Sequence, residues 1–156
     1  MLLAAGFSVD VHTLDFRTPL MVAIGNAHTS SRVAGETERI ARCVKLLIAA
    51  GAPVNAKTVP RGRTALMIAA WVNDAQAAAL LIAAGAEVDV VTAPERYTSP
   101  PYLPGWNALT FAASSPYDNV AALRVLLRNR AKVETRCNLQ EVSHVLTLII
   151  AFPFHA

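Results

Sequence analysis

Residues 62–85 read as two short helices joined by a tight turn, and such a helix pair cannot bury its apolar face alone. Thr64 is a favourable N-cap, and the residues that follow it form a short apolar helix. The second helix carries Leu80 and Leu81 on one stripe and ends at Gly85, which suits the left-handed residue that often follows a helix. The pair therefore needs neighbours of the same kind.

The rest of the chain supplies those neighbours. Residues 17–23, RTPLMVA, match residues 63–69, RTALMIA, and both match residues 106–112, WNALTFA. The helix ends recur as well, at residues 2–6, 47–51, 81–85 and 127–130. A recurrence of about 33 residues predicts a stack of similar units that share one continuous core.

These T-P-L-H-x-A and L-L-x-x-G-A-x-V-N/D phrases resemble the ankyrin repeat, and the resemblance covers nearly the whole chain. It implies an all-α fold, an ankyrin-repeat solenoid of stacked helix pairs with hairpin loops, in a single domain of residues 1–156. About three full repeats are expected, with partial repeats at both ends. The full repeats are residues 18–51, 52–85 and 86–130; residues 1–17 form one partial repeat, and 131–156 form another or an irregular hydrophobic tail.

The spacing of the repeat marks locates an insertion inside the first full repeat. Thr64 and Gly85 lie 21 residues apart, whereas Thr18 and Gly51 lie 33 apart. The extra residues fall between the two helices, near residues 26–38, where they form either a flexible polar loop or a regulatory segment. Insertions in loops cost little closure entropy, so the stack is expected to tolerate them.

A second insertion is predicted near residues 91–104, in the hairpin loop of the third full repeat. Four prolines in this segment prevent a helix from continuing through it. Tyr97 and Tyr102 stand among the prolines. Their rings either fold back onto the domain or contact a partner.

Composition bounds the class of protein. The chain has 156 residues, a net charge of +3 and 54% hydrophobic residues, which fits one domain with an alanine-rich core. The two cysteines, Cys43 and Cys137, give neither a disulfide framework nor metal-ligand spacing, and Cys43 is expected in the core on the apolar side of a helix. No apolar stretch reaches the ~18 residues of a membrane span. We expect an intracellular location, cytoplasmic or nuclear, because free cysteines suit a reducing compartment.

The sequence carries no catalytic signature. It has no G-x-S-x-G, no P-loop and no G-x-G-x-x-G, and its four histidines are scattered without metal-ligand spacing. Ankyrin-like repeats rarely catalyse reactions themselves. We therefore expect no enzyme activity, no cofactor, no metal and no small-molecule substrate.

The resemblance also implies where a partner would bind. Ankyrin stacks usually bind other proteins on the concave surface formed by the hairpin tips and first helices. The variable contact positions include the residue before the T-P-L-H phrase and the residue after the first-helix A-A. These positions and the proline-rich loop give the predicted partner-binding residues: Arg17, Arg63, Trp71, Tyr97, Tyr102 and Trp106.

Tryptophan, tyrosine and arginine are the residues most enriched in binding hot spots. The sequence therefore predicts a protein-interaction scaffold that binds a protein partner, one with an acidic rim, in the concave groove. Each tryptophan has the alternative of packing across adjacent repeats as an extension of the core. The alternative for the whole chain is a fragment, or a regulatory or targeting module, of a larger adaptor or enzyme.

A nucleic-acid partner is disfavoured. The basic residues that would bind it are confined to the last helix and the segment after it, and no base-stacking aromatics accompany them. These residues are Arg124, Arg128, Arg130, Lys132 and Arg136.

Two positions bear on the regularity of the repeats. Asn55 occupies the hairpin asparagine position, which is structural in the ankyrin family and is hydroxylated in some intracellular members. Arg130 occupies the helix-end glycine position, where a positive φ would cost an arginine on the order of 1 kcal/mol. Asn129 is the alternative residue for that left-handed conformation.

Overall fold

A computed structural model describes residues 11–25, 36–92, 105–115 and 120–132. These ranges contain six α-helices and no β-strand, which confirms the predicted all-α fold. None of the described helices combines the length and apolarity needed to cross a bilayer. The helices are α1 (Pro19–Gly25), α2 (Glu36–Ala49), α3 (Ala65–Trp71), α4 (Ala75–Ala83), α5 (Ala108–Ala113) and α6 (Val120–Arg128).

The helices form three pairs arranged in two layers. Each odd-numbered helix contacts the even-numbered helix that follows it. The first helices contact one another in the order α1, α3, α5 and make the inner layer, while α2, α4 and α6 make the outer layer in the same order. This is the stack of helix pairs that the repeated phrases predict.

The core lies between the two layers and is built from a few large side chains among many alanines. The inner helix α3 is buried over most of its surface, since it contacts α1, α5 and α4. Alanines with no exposed surface allow the backbones to approach closely, as Ala69 and Ala70 do in α3 and Ala77 and Ala78 do in α4. The large fully buried side chains are Leu20, Met21, Ile24, Val44, Leu66, Met67, Leu81, Leu109 and Leu126.

Buried polar side chains begin the inner helices. In each one, a side-chain oxygen accepts a hydrogen bond from the backbone N–H three residues further on, which satisfies a donor that the helix leaves free. The bond is 3.3 Å long for Thr18, 3.3 Å for Thr64 and 3.0 Å for Asn107. Asp74 does the same for α4, at 2.8 Å. The prediction that Thr64 is an N-cap is confirmed.

The outer helices end in the same left-handed conformation in all three pairs. Gly51 and Gly85 have φ values of 85° and 89°, and Arg130 has a φ of 60° at the equivalent position. In each case the next residue donates a backbone hydrogen bond back across the turn, as Ala131 does to Leu126 at 3.1 Å. This bonding pattern fixes which residue turns left-handed, so Arg130 takes the conformation and Asn129 does not.

The outer helix α2 is longer than the sequence indicated. It begins at Glu36 and has 14 residues, against nine in α4 and nine in α6. The last residues of the segment predicted as an insertion at 26–38 therefore form the first turn of a helix, where Glu38 pairs with Arg42 at 3.6 Å. Residues 26–35 lie outside the described ranges.

The core position predicted for Cys43 is wrong, because its side chain is exposed. The buried stripe of α2 is centred on Val44 and Ala41, with Leu47 packed against the core at its edge. A helix turns by about 100° per residue, so Cys43 points well away from the centre of that stripe. The apolar neighbours in the sequence conceal this rotation.

Polar side chains also tie successive repeats together. The Asn55 side chain donates to the carbonyl oxygen of Gly85 at 3.0 Å and accepts from the N–H of Glu87 at 2.9 Å. In the next repeat Asp89 accepts from the N–H of Lys132 at 2.8 Å. Asn55 therefore has the structural role that the resemblance implies for it.

Candidate functional site

Three loops that precede the inner helices share one hydrogen-bonding pattern. At the start of each loop, a threonine donates its backbone N–H to the carbonyl oxygen of a later residue, at 2.9–3.1 Å. The threonine hydroxyl accepts the N–H of that same residue, at 3.0–3.1 Å. We call this arrangement a threonine clasp and the loop that it closes a finger. The clasps join Thr13 to Arg17 in finger 1, Thr58 to Arg63 in finger 2, and Thr92 to Trp106 in finger 3.

The clasp keeps its geometry although the fingers differ in length. It encloses three residues in finger 1, four in finger 2 and thirteen in finger 3. The last enclosed residue always has a positive φ, at 57° for Phe16, 66° for Gly62 and 92° for Gly105. These threonines were not among the predicted site residues, and their signal in the sequence is a Thr at the start of each loop when the three fingers are aligned.

Each clasp places one predicted site residue beside the start of an inner helix. Arg17, Arg63 and Trp106 are the closing residues, and the helix cap follows directly after each of them. The three positions are therefore structurally equivalent, as the repeated phrases implied. Tyr97 and Tyr102 lie outside the described residues.

Three of the predicted site residues meet at the ring of Phe111. The Arg63 guanidinium carbon lies 5.2 Å from the ring centroid. The ring of Trp71 approaches edge-on at 6.3 Å and that of Trp106 at 5.3 Å, measured between centroids. Such edge-on and cation–π contacts are favourable and directional. Phe111 thus holds residues from two repeats in one cluster.

The two tryptophans differ in exposure. Trp106 is 3% exposed and belongs to the hydrophobic core, so its ring offers almost no surface to a partner. Trp71 ends α3 and is half-buried, and its carbonyl oxygen accepts a 2.6 Å hydrogen bond from the Ser115 hydroxyl. The sequence identified Arg17, Arg63 and Trp106 as equivalent positions of the repeat. It could not show that the Trp106 ring would be buried against Phe111.

A cavity of about 370 Å³ lies between finger 1 and finger 2. The fingers meet beside it, where the N–H of Val59 donates to the carbonyl oxygen of Asp15 at 3.3 Å. The helix α3 contributes one apolar side chain to the wall. The described residues that line the cavity are Asp15, Arg17, Thr58, Val59, Pro60, Arg61, Arg63 and Ile68.

The described residues that line the cavity include more arginines than carboxylates. The Asp15 carboxylate accepts a hydrogen bond from the Thr13 hydroxyl and pairs with Arg17 Nε at 2.7 Å. The hydroxyl bond, followed by the positive charge of Arg17, lowers the pKa of Asp15, which is therefore ionised at neutral pH. The described walls carry three arginines and one aspartate. Arg61 had no signal in the sequence beyond its place near Arg63.

The described ranges hold no group of three His, Cys, Asp or Glu side chains close enough to bind a metal ion. What the cavity and the Phe111 cluster offer instead is guanidinium donors, an edge of aromatic surface and a concave wall. Groups of this kind recognise other molecules by charge and shape.

Paired helices, left-handed helix ends and clasped fingers define a solenoid of helix-pair repeats. The family model for ankyrin repeats (3 copies) matches residues 1–92 and 33–137. The chain belongs to the ankyrin-repeat family. No curated protein matches the chain significantly. Ankyrin repeats are generally protein–protein interaction modules.

Proposed function

We propose that this chain is a protein-interaction scaffold that binds a protein partner in its concave ankyrin groove. The observation that carries the proposal is the continuity of the surface across repeats. Arg17 and Arg63 come from different fingers and line one cavity, and Arg63 also reaches the Phe111 cluster beside Trp71. Tyr97 and Tyr102 belong to the proposal as residues at the edge of the groove.

The chemistry of these residues supports recognition of an acidic partner. An arginine whose guanidinium lies over an aromatic ring loses less freedom when it binds a carboxylate, because its planar group is already positioned. Trp71 adds a partly exposed aromatic edge next to that charge. A partner with an acidic rim and an apolar centre complements this surface.

A photo-crosslinking experiment tests the surface. Trp71→p-benzoylphenylalanine places the crosslinker in the groove, and Leu46→p-benzoylphenylalanine places it on the exposed side of α2 as a matched control. We expect protein adducts in cells from position 71 and not from position 46. The same adducts from both positions would contradict a groove-specific partner.

Charge reversal gives a second test of the same surface. The Arg17→Glu/Arg63→Glu double variant should abolish the adducts formed at position 71. The Arg39→Glu/Lys45→Glu variant makes the same change in net charge on exposed positions of α2 and should leave the adducts intact. Adducts that survive in the first variant would remove the arginines from the proposal.

An intracellular setting is also part of the proposal. Cys43 carries a free thiol on the exposed side of α2, which suits a reducing compartment. A fluorescent fusion should locate to the cytoplasm or nucleus. Accumulation in the secretory pathway would contradict this.

A further inference from the structure

We infer that the cavity between finger 1 and finger 2 is an aromatic subsite, which receives one phenylalanine, tyrosine or tryptophan ring from a segment of the partner protein. The inference rests on the proposed function and names the side chain that the partner supplies. Such a ring needs no unpaired charge in the wall. It fits the planar guanidinium groups of the lining, the apolar side chains between them and the size of the space.

Arg17 lines the cavity with a guanidinium whose partner occupies its edge. Its Nε lies 2.7 Å from the Asp15 carboxylate, and 51% of the Arg17 side-chain surface is exposed. The N–H donors of a guanidinium lie in its plane, so a carboxylate bound to them leaves the two faces uncovered. The pair with Asp15 therefore orients the guanidinium without blocking stacking. The negative face of an aromatic ring complements the delocalised positive charge.

Arg63 shows that a guanidinium of this cavity already contacts an aromatic ring. It lines the cavity, and its guanidinium carbon lies 5.2 Å from the centroid of Phe111. Phe111 is not among the described residues that line the cavity, so a ring bound there leaves this contact in place. Phe111 also holds the Arg63 guanidinium in position before a partner binds, which lowers the entropic cost of binding.

The side chains between the arginines favour a neutral ring over an anion. Val59 and Pro60 line the cavity from finger 2, and Ile68 lines it from α3. Aliphatic groups bury aromatic surface favourably, whereas they offer no hydrogen bond to a carboxylate or a phosphate. The Asp15 carboxylate also lies in the wall, where it would repel an anionic side chain.

The size and the walls of the cavity favour a single inserted ring. A dry apolar cavity of about 150 Å³ admits benzene, so a space of about 370 Å³ holds one aromatic side chain and excludes a folded domain. The walls are fixed before binding, because each finger is closed by its clasp and the N–H of Val59 donates to the carbonyl oxygen of Asp15 at 3.3 Å. Fixed walls reduce the ordering cost of binding.

Exposed apolar side chains at the rim define the surroundings of the inserted ring. Leu14, Phe16 and Val59 are exposed large hydrophobics on the two fingers that bound the cavity. Apolar side chains left exposed together beside a cavity are typical of an interaction site. We therefore assign the partner segment an aromatic residue flanked by an aliphatic one.

The probe for this cavity is the capped peptide acetyl-Ser-Leu-Phe-Ser-amide, titrated to its solubility limit against the ¹³C,¹⁵N-labelled full chain. Ring-current shifts are expected for the methyl signals of Val59 and Ile68. The Hδ signals of Arg17 should move upfield, because protons over the face of a ring are shielded. The signals of Leu46 and Arg39 on α2 should stay unchanged.

A matched peptide isolates the contribution of the aromatic face. It carries cyclohexylalanine in place of phenylalanine, which has a similar shape and is more apolar but has no π system. A purely apolar cavity would favour it. We expect it to bind about two- to fivefold more weakly than the phenylalanine peptide, the range for a cation–π contact at an exposed site.

Two variants separate stacking from charge. Arg17→Lys keeps the positive charge but lacks the planar group, and it should weaken binding of the phenylalanine peptide about two- to fivefold. Asp15→Asn should also weaken binding, because the Arg17 guanidinium is then no longer held in one orientation. Arg39→Lys on α2 is the matched control and should have no effect. Urea unfolding of each variant checks that the fold is intact.

Four outcomes would overturn the inference. They are the absence of ring-current shifts at Val59 and Ile68, equal or tighter binding of the cyclohexylalanine peptide, binding that neither variant weakens, and tighter binding of a peptide with glutamate in place of phenylalanine. The last outcome would assign the cavity to an acidic segment. Trp71 is not among the described residues that line the cavity. Crosslinking from position 71 therefore tests the groove separately, so a failure here and a failure of the proposed function are distinguishable.

Discussion

At the scale of single residues, a left-handed backbone conformation costs any residue other than glycine free energy. Arg130 repeats the left-handed conformation of Gly51 and Gly85, so the third repeat carries a conformational penalty that the first two avoid. At Asp15, by contrast, side chains have a favourable effect: Thr13 and Arg17 both stabilise the charged carboxylate. Each of these two sites supports a quantitative prediction.

Replacing Arg130 by glycine should raise the free energy of unfolding by about 0.5–1 kcal/mol, because glycine adopts a positive φ without a Cβ clash. Urea unfolding followed by circular dichroism measures the change. Gly85→Ala is the matched opposite. A Cβ at Gly85 would meet no atom within 4 Å, so its expected loss of about 1 kcal/mol comes from the backbone alone. No gain in Arg130→Gly would show that the arginine makes compensating contacts.

The pKa of Asp15 should rise towards the ordinary value of about 3.9 in a Thr13→Val variant, since the hydroxyl bond is the largest cause of its depression. Because the pKa of Asp15 is lower in the folded than in the unfolded state, its ionised form stabilises the fold at pH values above the unfolded-state pKa. This stabilisation is lost as the pH falls through the folded-state pKa. An NMR titration of the Asp15 carboxyl carbon measures the shift. Thr92→Val, in another finger, should leave it unchanged.

At the scale of elements, the threonine clasp explains why fingers of very different length support the same helix start. The clasp makes two hydrogen bonds with the closing residue, and the helix cap follows immediately. The position of the helix start therefore does not depend on how many residues the finger contains. The closing bonds, and not the loop residues, hold Arg17 and Arg63 in place.

Removing one clasp hydroxyl should destabilise the fold by about 1 kcal/mol, the usual cost of a lost hydrogen bond. Thr58→Val makes this change at a buried position, where the Arg63 N–H loses its 3.0 Å partner. Thr58→Ser keeps the hydroxyl and should retain most of the stability. Thermal unfolding of both variants measures the difference, and a Thr58→Val variant as stable as the unsubstituted chain would contradict this role of the hydroxyl.

The elements were largely predictable from the sequence, whereas the site was predictable only in part. Thr64 and Gly85 carry local signals for a helix start and a helix end, and local chemistry decides both. The exposure of Cys43 depends on the exact rotation of α2, and the burial of Trp106 depends on Phe111 in a neighbouring turn of chain. The cavity beside Arg61 depends on how closely two fingers approach, which no local pattern encodes.

At the scale of the whole molecule, the contacts run chiefly between adjacent helix pairs. The middle pair, α3 and α4, contacts both the pair before it and the pair after it. In such a stack, stability is approximately a sum of repeat terms and nearest-neighbour terms. Damage to the middle pair should therefore spread in both directions.

Two leucine-to-alanine variants test this coupling. Leu81 and Leu126 are both fully buried, in the middle and last outer helices, and each replacement should cost about 2–5 kcal/mol. Hydrogen exchange should show that Leu81→Ala lowers protection in all three helix pairs. Leu126→Ala should lower protection mainly in α5 and α6. The same pattern in both variants would mean that the stack unfolds as one cooperative unit.

The third finger has a practical consequence. Thr92 and Trp106 remain hydrogen-bonded although thirteen residues separate them. The repeat scaffold therefore does not depend on the length or sequence of the residues that the clasp encloses. Loop closure adds little entropy cost as such a segment grows. Foreign recognition sequences can therefore be grafted between Thr92 and Gly105, much as hypervariable loops are exchanged on an antibody framework.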